Sequence, residues 1–227
     1  MRKLTLLALL SLPIFADFFP TTVETSVAQV TQNGIKLAKP LPYDGMSGIV
    51  VHNFKGSAKA ITSYIVQSSS DGTAVAMGKD VIHHKELPTI STPIKVHDKV
   101  IGGYMYNNVL LLAPDADTYA KITAEHNRNW IHPDLYAVFL STEGEDIPTR
   151  ENLSAFAKQY QVGLVYIIRN GTAVLLDPIS KKIIKQQKID NLPKKGQFPF
   201  FTRFEKVNSG WFGSSDKESY YKTMEKL

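Results

Sequence analysis

Few residues of this 227-residue chain have the type and spacing that catalysis needs. His83 and His84 are adjacent, and neighbouring side chains on a strand point to opposite faces, so the pair does not close on one metal ion. His126 and His132 stand six apart, which matches neither a helical ligand pair nor a zinc knuckle. Glu143, Glu145 and Asp146 cluster in the stretch STEGEDIPT. Paired carboxylates carry acid–base chemistry when they face each other across a cleft; these are local, with Gly144 between them. The cluster reads as a solvated loop, or as the rim of a small-ligand or active site on the 142–149 loop. The second reading arises because an apolar run that looks like a strand precedes it, and ligands bind at the C-terminal ends of strands in α/β sheets. It offers too few oxygen ligands at alternate positions for a calcium loop. Gly-x-Ser-x-Gly, Gly-x-Gly-x-x-Gly and the phosphate-binding Gly-Lys-Ser/Thr loop are all absent,. So is cysteine, which removes thiolate nucleophiles, Cys-bound zinc and disulfides. The reading is a non-enzymatic protein with no cofactor and no metal.

What remains is recognition chemistry, concentrated near the C-terminus. Phe198, Phe200, Phe201, Phe204, Trp211, Phe212, Tyr220 and Tyr221 fall within 24 residues, interleaved with Arg203, Lys206 and Lys217. Aromatic rings beside cations can stack on bases or sugars, but more often they pin a terminal segment to a core, and this run is expected to pack. Trp211-Phe212, flanked by Gly210 and Gly213, suggests a tight turn that inserts two rings into a groove. Residues 181–227 hold eleven Lys/Arg and five Asp/Glu. That surplus either steers toward an acidic partner or forms a solvated face. The whole-chain charge of +5 is too weak a field to argue for nucleic acid.

The segments that must position these residues begin with a leader. Arg2-Lys3, the apolar run Leu4 to Leu12, Pro13 and a small residue at Ala16 read as a secretory signal peptide cut near Ala16. The run is too short to span a bilayer, and no other segment has the length and apolarity of a membrane helix. Cleavage would leave 211 residues with a charge of +3, exported to the periplasm or cell surface and held together by a core without disulfides.

From Val23 to Pro114 the signals are β. Turns are expected at Asn33-Gly34, Asp71-Gly72 and Asn107-Asn108, with a bulge or bend at Gly102-Gly103,. The stretch IKVHDKVIGGYMYNNVLLLAP reads as three short strands, turning at Asp98 and at Asn107-Asn108. After Pro114, DADTYAKITAEHN predicts a helix capped by Asp115 or Asp117, and LYAVFLS predicts a buried strand,. PTRENLSAFAKQYQVG predicts a helix capped by Thr149, with Leu153, Phe156, Ala157 and Tyr160 on one stripe and Gly163 as its left-handed stop,. GLVYII and AVLLDP flank an Asn170-Gly171 hairpin, and KKIIKQQKI adds a strand,. FFTRFEKV reads as another, and a helix from Asp216 would place Tyr220, Met224 and Leu227 on one stripe. The expected fold is α+β: a small β-barrel or sandwich over 17–114, a small α/β unit with a mixed sheet over 115–190, and a basic, aromatic-rich segment over 191–227 that packs on the body and ends in a helix.

The order GIVVH, IKVHDKVIGG, LYAVFLS, LSAFAKQYQVGLVYII, LLDPISKKII and a terminal GWFG resembles the N-terminal domain of the PgbA plasminogen-binding proteins of Helicobacter and related bacteria. The resemblance spans nearly all of the chain after the leader. It implies a surface-exposed, non-enzymatic protein that binds host plasminogen through lysine-binding kringle domains. A kringle site pairs an anionic patch with a lysine ammonium and a cationic patch with a carboxylate, and packs aromatic rings against the methylene stem. The family's plasminogen binders carry a lysine-rich C-terminal extension ending in lysine, whereas this sequence ends Lys226-Leu227. The candidates are therefore Lys222 and Lys226, with Glu218 as the anionic partner four residues before Lys222,. The bland alternative is that both lysines simply favour the helix C-terminus. A different reading of the whole is a periplasmic or envelope scaffold without plasminogen activity, holding another envelope protein through a β-domain edge or Trp211-Phe212.

Overall fold

A computed structural model describes residues 18–54, 59–77, 92–204 and 219–227. The leader, His83-His84, Trp211-Phe212 and Glu218 lie outside the described residues. The first part carries six strands: β1 (Val23–Thr31), β2 (Gly34–Leu37), β3 (Ser47–Asn53), β4 (Lys59–Gln67), β5 (Thr73–Ala76) and β6 (Lys99–Gly102). They close into an antiparallel barrel in the order β1-β2-β5-β4-β3-β6. Val27, Ile35, Leu37, Val50, Ile65 and Val100 are each at most 3% exposed. Burial of one such side chain is worth about 1.5–3 kcal/mol. Gln67, wholly buried, ties the loop before β3 to the barrel: its Oε1 accepts from the Leu41 amide at 2.6 Å and its Nε2 donates back to the Leu41 carbonyl at 3.0 Å.

The second part is a mixed sheet built from β7 (Asn108–Leu112), β8 (Asn129–Ile131), β9 (Leu164–Arg169), β10 (Thr172–Asp177) and β11 (Lys182–Lys188), in the order β11-β10-β9-β7-β8. β7 runs parallel to both β8 and β9, while β9, β10 and β11 form an antiparallel meander. Helix α1 (Ala116–Glu125) connects β7 to β8, α2 (Pro133–Glu143) and α3 (Arg150–Tyr160) connect β8 to β9, and α4 (Tyr220–Lys226) closes the chain. Consecutive residues Val109–Leu112, Leu164–Ile168 and Ala173–Leu176 are all at most 1% exposed. Both faces of the central strands are therefore covered, as parallel pairing demands. The fold is α+β, with the barrel leading into the sheet.

Several local expectations shift by identifiable physics. LYAVFLS is the body of helix α2, not a strand. A seven-residue apolar run has no periodicity that separates a buried helix from a buried strand; its boundaries decide. His132 caps the start, Pro133 occupies the first turn, and Gly144 at φ 72° stops the end,. The run reads as continuous because Tyr136, Ala137, Phe139 and Leu140 are buried while Leu135 and Val138 remain exposed. Helix α3 is capped by Thr149 as expected, but its left-handed stop is Gln161 at φ 55° rather than Gly163. The third strand expected in IKVHDKVIGGYMYNNVLLLAP is absent: residues 94–98 form a turn leading into β6. The first hairpin loop is Gln32-Asn33, one residue earlier than expected, with Thr31 paired to Gly34. Residues 200–204 of FFTRFEKV are not a strand. The change from barrel to sheet falls between β6 and β7, so the strand just before Pro114 belongs to the second sheet.

One buried carboxylate joins the two parts. Asp177 at the end of β10 is fully buried. Its Oδ2 accepts from the Ser47 amide of β3 at 2.8 Å and from the Tyr106 hydroxyl at 2.5 Å, and its Oδ1 accepts from the amides of Ile179 and Ser180 at 2.9 Å each. Burial pushes its pKa above the usual carboxylate value, although the Ser47, Tyr106 and Ser180 donors pull the other way,. Asp177→Ala is expected to lower unfolding free energy by about 3 kcal/mol, because buried donors from both parts lose their acceptor. Tyr106→Phe removes one donor and should cost about 1 kcal/mol. Chemical denaturation of the two variants checks the ordering.

Candidate functional site

Helix α4 carries Lys222 and Lys226, and its placement follows from its sequence. Ser219 caps it, its side chain accepting from the Lys222 amide. Tyr220, Met224 and Leu227 recur at i, i+4 and i+7 and are 1%, 0% and 2% exposed, so this face is buried,. Leu227 packs down with the stripe instead of trailing into solvent. Lys222, Glu225 and Lys226 are exposed. Spaced four positions apart, the two lysines share one side of the helix.

The seat of α4 is the edge of the mixed sheet where β7 and β9 end. The Tyr220 hydroxyl lies 2.8 Å from the Leu112 carbonyl oxygen and 2.7 Å from that of Ile168, sharing its single proton between the two strands. Burial raises its pKa well above the usual phenol value, so it remains a donor. Arg169 Nε donates to the Met224 carbonyl at 3.2 Å, and Arg150 donates to the Leu227 carbonyl and, at 2.9 Å, to that of Lys181. Glu225 accepts from the Asn170 amide at 3.2 Å. Residues 196–203 cover the neighbouring part of the edge. The Gln197 amide donates to Pro114 O at 2.7 Å and the Phe201 amide to Ala113 O at 2.9 Å. Gly196 is required there, since a Cβ would stand 2.7 Å from the Tyr220 ring and 2.9 Å from Pro114. In α/β sheets this edge is the usual ligand crevice; here the chain's own C-terminal segment fills it.

Arg203 fastens that segment to the start of α2. Its amide and its Nε donate to the two Asp134 carboxylate oxygens at 2.9 and 2.7 Å. Burial pushes the Asp134 pKa up, but the Arg203 amide and guanidinium, with His132 beside them, outweigh this and hold it below the usual carboxylate value.

Of the sequence candidates, Lys222 and Lys226 come together on α4, while Glu218, Trp211 and Phe212 lie outside the described residues. The described carboxylate beside the lysines is Glu225. Glu143 ends α2, and Glu145 and Asp146 lie on the connection to α3; all three are exposed. They stand at the end of a helix rather than of a strand, and none of them lines the cavities beside α1, between barrel and α3, or beside β1. His126 packs edge-on against Phe19, and His132 accepts from the Asp134 amide at the start of α2. Among the described residues no group of three or more His, Cys, Asp or Glu is placed to hold a metal, and no helix is long and apolar enough to cross a membrane. Arg150 and Arg169, which seat α4, carried no signal in the sequence, because their partners are backbone carbonyls distant along the chain.

Tyr220→Phe is expected to lose about 1–2 kcal/mol and to speed amide hydrogen exchange in 219–227 more than in the barrel strands, as mass spectrometry of exchanged peptides can read. The Asp134 carboxylate stabilises the fold above its unfolded pKa, and that contribution disappears as pH falls through the depressed folded value. The stability gap between the parent chain and Arg203→Gln should therefore be present at neutral pH, be under about 1 kcal/mol for so exposed a guanidinium, and close in acid.

No solved structure matches the chain. Two curated relatives do, both plasminogen-binding proteins PgbA of Helicobacter pylori. The one from strain J99 is 28% identical over 185 residues and the one from strain 26695 is 27% identical over the same length; each alignment covers 78% of this chain. The alignments span 40% of either relative's length. The family model described as plasminogen-binding protein pgbA N-terminal matches residues 22–227. That interval takes in the barrel, the mixed sheet and the helix that carries both lysines, and the chain belongs to the PgbA N-terminal family.

Proposed function

We propose that the chain is an exported, non-enzymatic binding protein of the cell envelope or surface, and that its partner is plasminogen, engaged through kringle domains. Family membership over 22–227 together with two relatives named for plasminogen binding supports the partner. The observation that carries the site is the pairing of Lys222 and Lys226 on the outer side of a helix whose inner side is buried. A lysine ammonium held on an anchored helix loses less conformational freedom on capture than one on a free tail. Both lysines are exposed, and aromatic rings of a kringle can pack on a lysine's methylene stem. Glu218, four residues before Lys222, is the anionic partner in this reading, and Glu225, which also accepts from the Asn170 amide, adds a second carboxylate beside the lysines. Export is supported by Arg2-Lys3, the short apolar run and Ala16,.

Immobilised plasminogen should bind the purified chain saturably in surface plasmon resonance, and 6-aminohexanoic acid should compete. Replacing both Lys222 and Lys226 by Gln should weaken binding by about tenfold or more, the loss expected for charge-assisted contacts, with the melting temperature unchanged. Binding indifferent to the lysine analogue overturns the mechanism. Binding that competes but survives the double substitution moves the site away from α4.

A further inference from the structure

A second site lies on the opposite flank of the molecule, where the barrel meets α3. A cleft of about 540 Å³ opens between β3–β4 on one side and α3 with the 161–163 turn on the other. That volume is in the range of small-ligand pockets, about 300–1,000 Å³, and junctions between structural units are where such pockets form most often.

The polar groups in this cleft are uncommitted. Among the described residues, the hydroxyls of Tyr64 and Tyr104 and the side-chain amides of Gln159 and Gln161 make no hydrogen bond, and Lys158 makes no ion pair. Among the described residues no Asp or Glu lines the cleft, and Lys158 is the charged side chain on its wall. By contrast, the cavity between α1 and the end of β11 mixes Asp115, Asp117, Glu125 and Asp190 with Lys121 and Lys188 and has no single sign. The remainder of the cleft is apolar, with Ile61, Met105, Ala155 and Ile179 among its walls. Tyr64 and Tyr104 are close enough that the second raises the pKa of the first, after the larger effect of burial.

The rim is also held in an unusual conformation. Met105 and Gln161, both lining the cleft, have φ of 64° and 55°, a region that L side chains seldom occupy and that marks stored strain. A helix stop in that conformation is usually glycine; here glutamine takes it and turns a polar side chain to the cleft. Two contacts impose the geometry. Asn108 Nδ2 donates to the Gln161 carbonyl at 2.9 Å. Gly163 lies so near Met105 that a Cβ would sit 2.0 Å from its carbonyl oxygen. The walls are therefore set in place without a ligand, which spares a ligand the ordering penalty.

We propose that this cleft binds a carboxylate carried on a short apolar body of about dipeptide size, either a free small molecule or the end of a peptide chain. Lys158 receives the carboxylate, the tyrosine hydroxyls and glutamine amides bond its polar backbone, and Ile61, Met105 and Ile179 take the apolar part. The site is independent of α4 and of the plasminogen reading.

The probe is N-acetyl-leucyl-tyrosine, titrated into the isotope-labelled full chain and followed by amide chemical shifts. Saturable shifts are expected on residues 61–64, 104–105 and 158–163. Affinity should fall about tenfold for the C-terminal amide of the probe and again for Lys158→Gln with the free acid, as expected for one lost charge-assisted contact. Ala155→Trp, which fills the cleft from the exposed side of α3, should abolish the shifts while leaving the melting temperature and plasminogen binding unchanged. Retention of binding when the probe is extended at its N-terminus identifies a chain end as the ligand type, and loss identifies a free small molecule. Equal binding of acid and amide, shifts that map elsewhere, or no saturation below about 1 mM each overturns the proposal.

Discussion

The barrel and the mixed sheet share one object, the carboxylate of Asp177. A wholly buried carboxylate is unfavourable unless donors replace its lost hydration, and these donors come from separate places: the first residue of β3, the phenol of Tyr106 on the linker between the two parts, and the turn that follows β10 itself. Removing it from any of them leaves an unsatisfied group in a low-dielectric interior, where the penalty is largest. The same contact fixes where Ser47 and Gly48 sit relative to Ile179, and these residues form part of the cleft beside α3. Asp177 thus ties the barrel wall of that cleft to the turn after β10 through the Ser47 and Ile179 amides.

The second organising feature is the use made of the sheet edge. The ends of β7 and β9 present carbonyls that would otherwise face a crevice. Tyr220 takes one from each strand, and the backbone of 196–203 takes the next two along. Filling the edge with the chain's own C-terminal segment has two consequences. The position most often used for catalysis in an α/β sheet is unavailable, in keeping with a binding role. In addition, α4 becomes a rigid platform: its inner stripe is buried, its last carbonyls are held by Arg150 and Arg169, and its outer side displays Lys222 and Lys226 in a defined relation to the body. A helix of seven residues would not form alone in water. Its existence is a tertiary effect, and so is the spacing of the two ammonium groups.

Much of this was legible along the chain wherever the governing interaction is local. Thr149 caps α3 and Asp115 caps α1 because a side-chain oxygen satisfies an amide three residues on,. Asn170-Gly171 makes the β9–β10 hairpin loop because the pairing of Arg169 with Thr172 leaves only two residues to turn,. The Tyr220–Met224–Leu227 stripe forecast the buried face of α4, since helical spacing depends on nothing beyond the backbone. LYAVFLS was illegible from its interior, and only the proline and glycine at its ends carry the helix. The glycine expected to stop α3 instead serves a close approach to Met105, a contact across 58 residues of chain.

The sequence by itself determined the class of protein and the polarity of its ends: cysteine-free, with no catalytic motif, with β signals before Pro114 and helix signals after it, and with lysines on a C-terminal amphipathic stripe. These follow from composition and from interactions within a few residues. Only the tertiary structure decided that six strands close into a barrel, that Asp177 locks the barrel to the sheet, that Tyr220 seats α4 on the ends of β7 and β9, and that Tyr64, Tyr104 and Lys158 meet around one cleft. The physical reason is the same in each case. These contacts join groups dozens of residues apart, often through backbone carbonyls and amides that every residue possesses, so their pairing exists only once the chain has brought them together and excluded the water that would otherwise bind them.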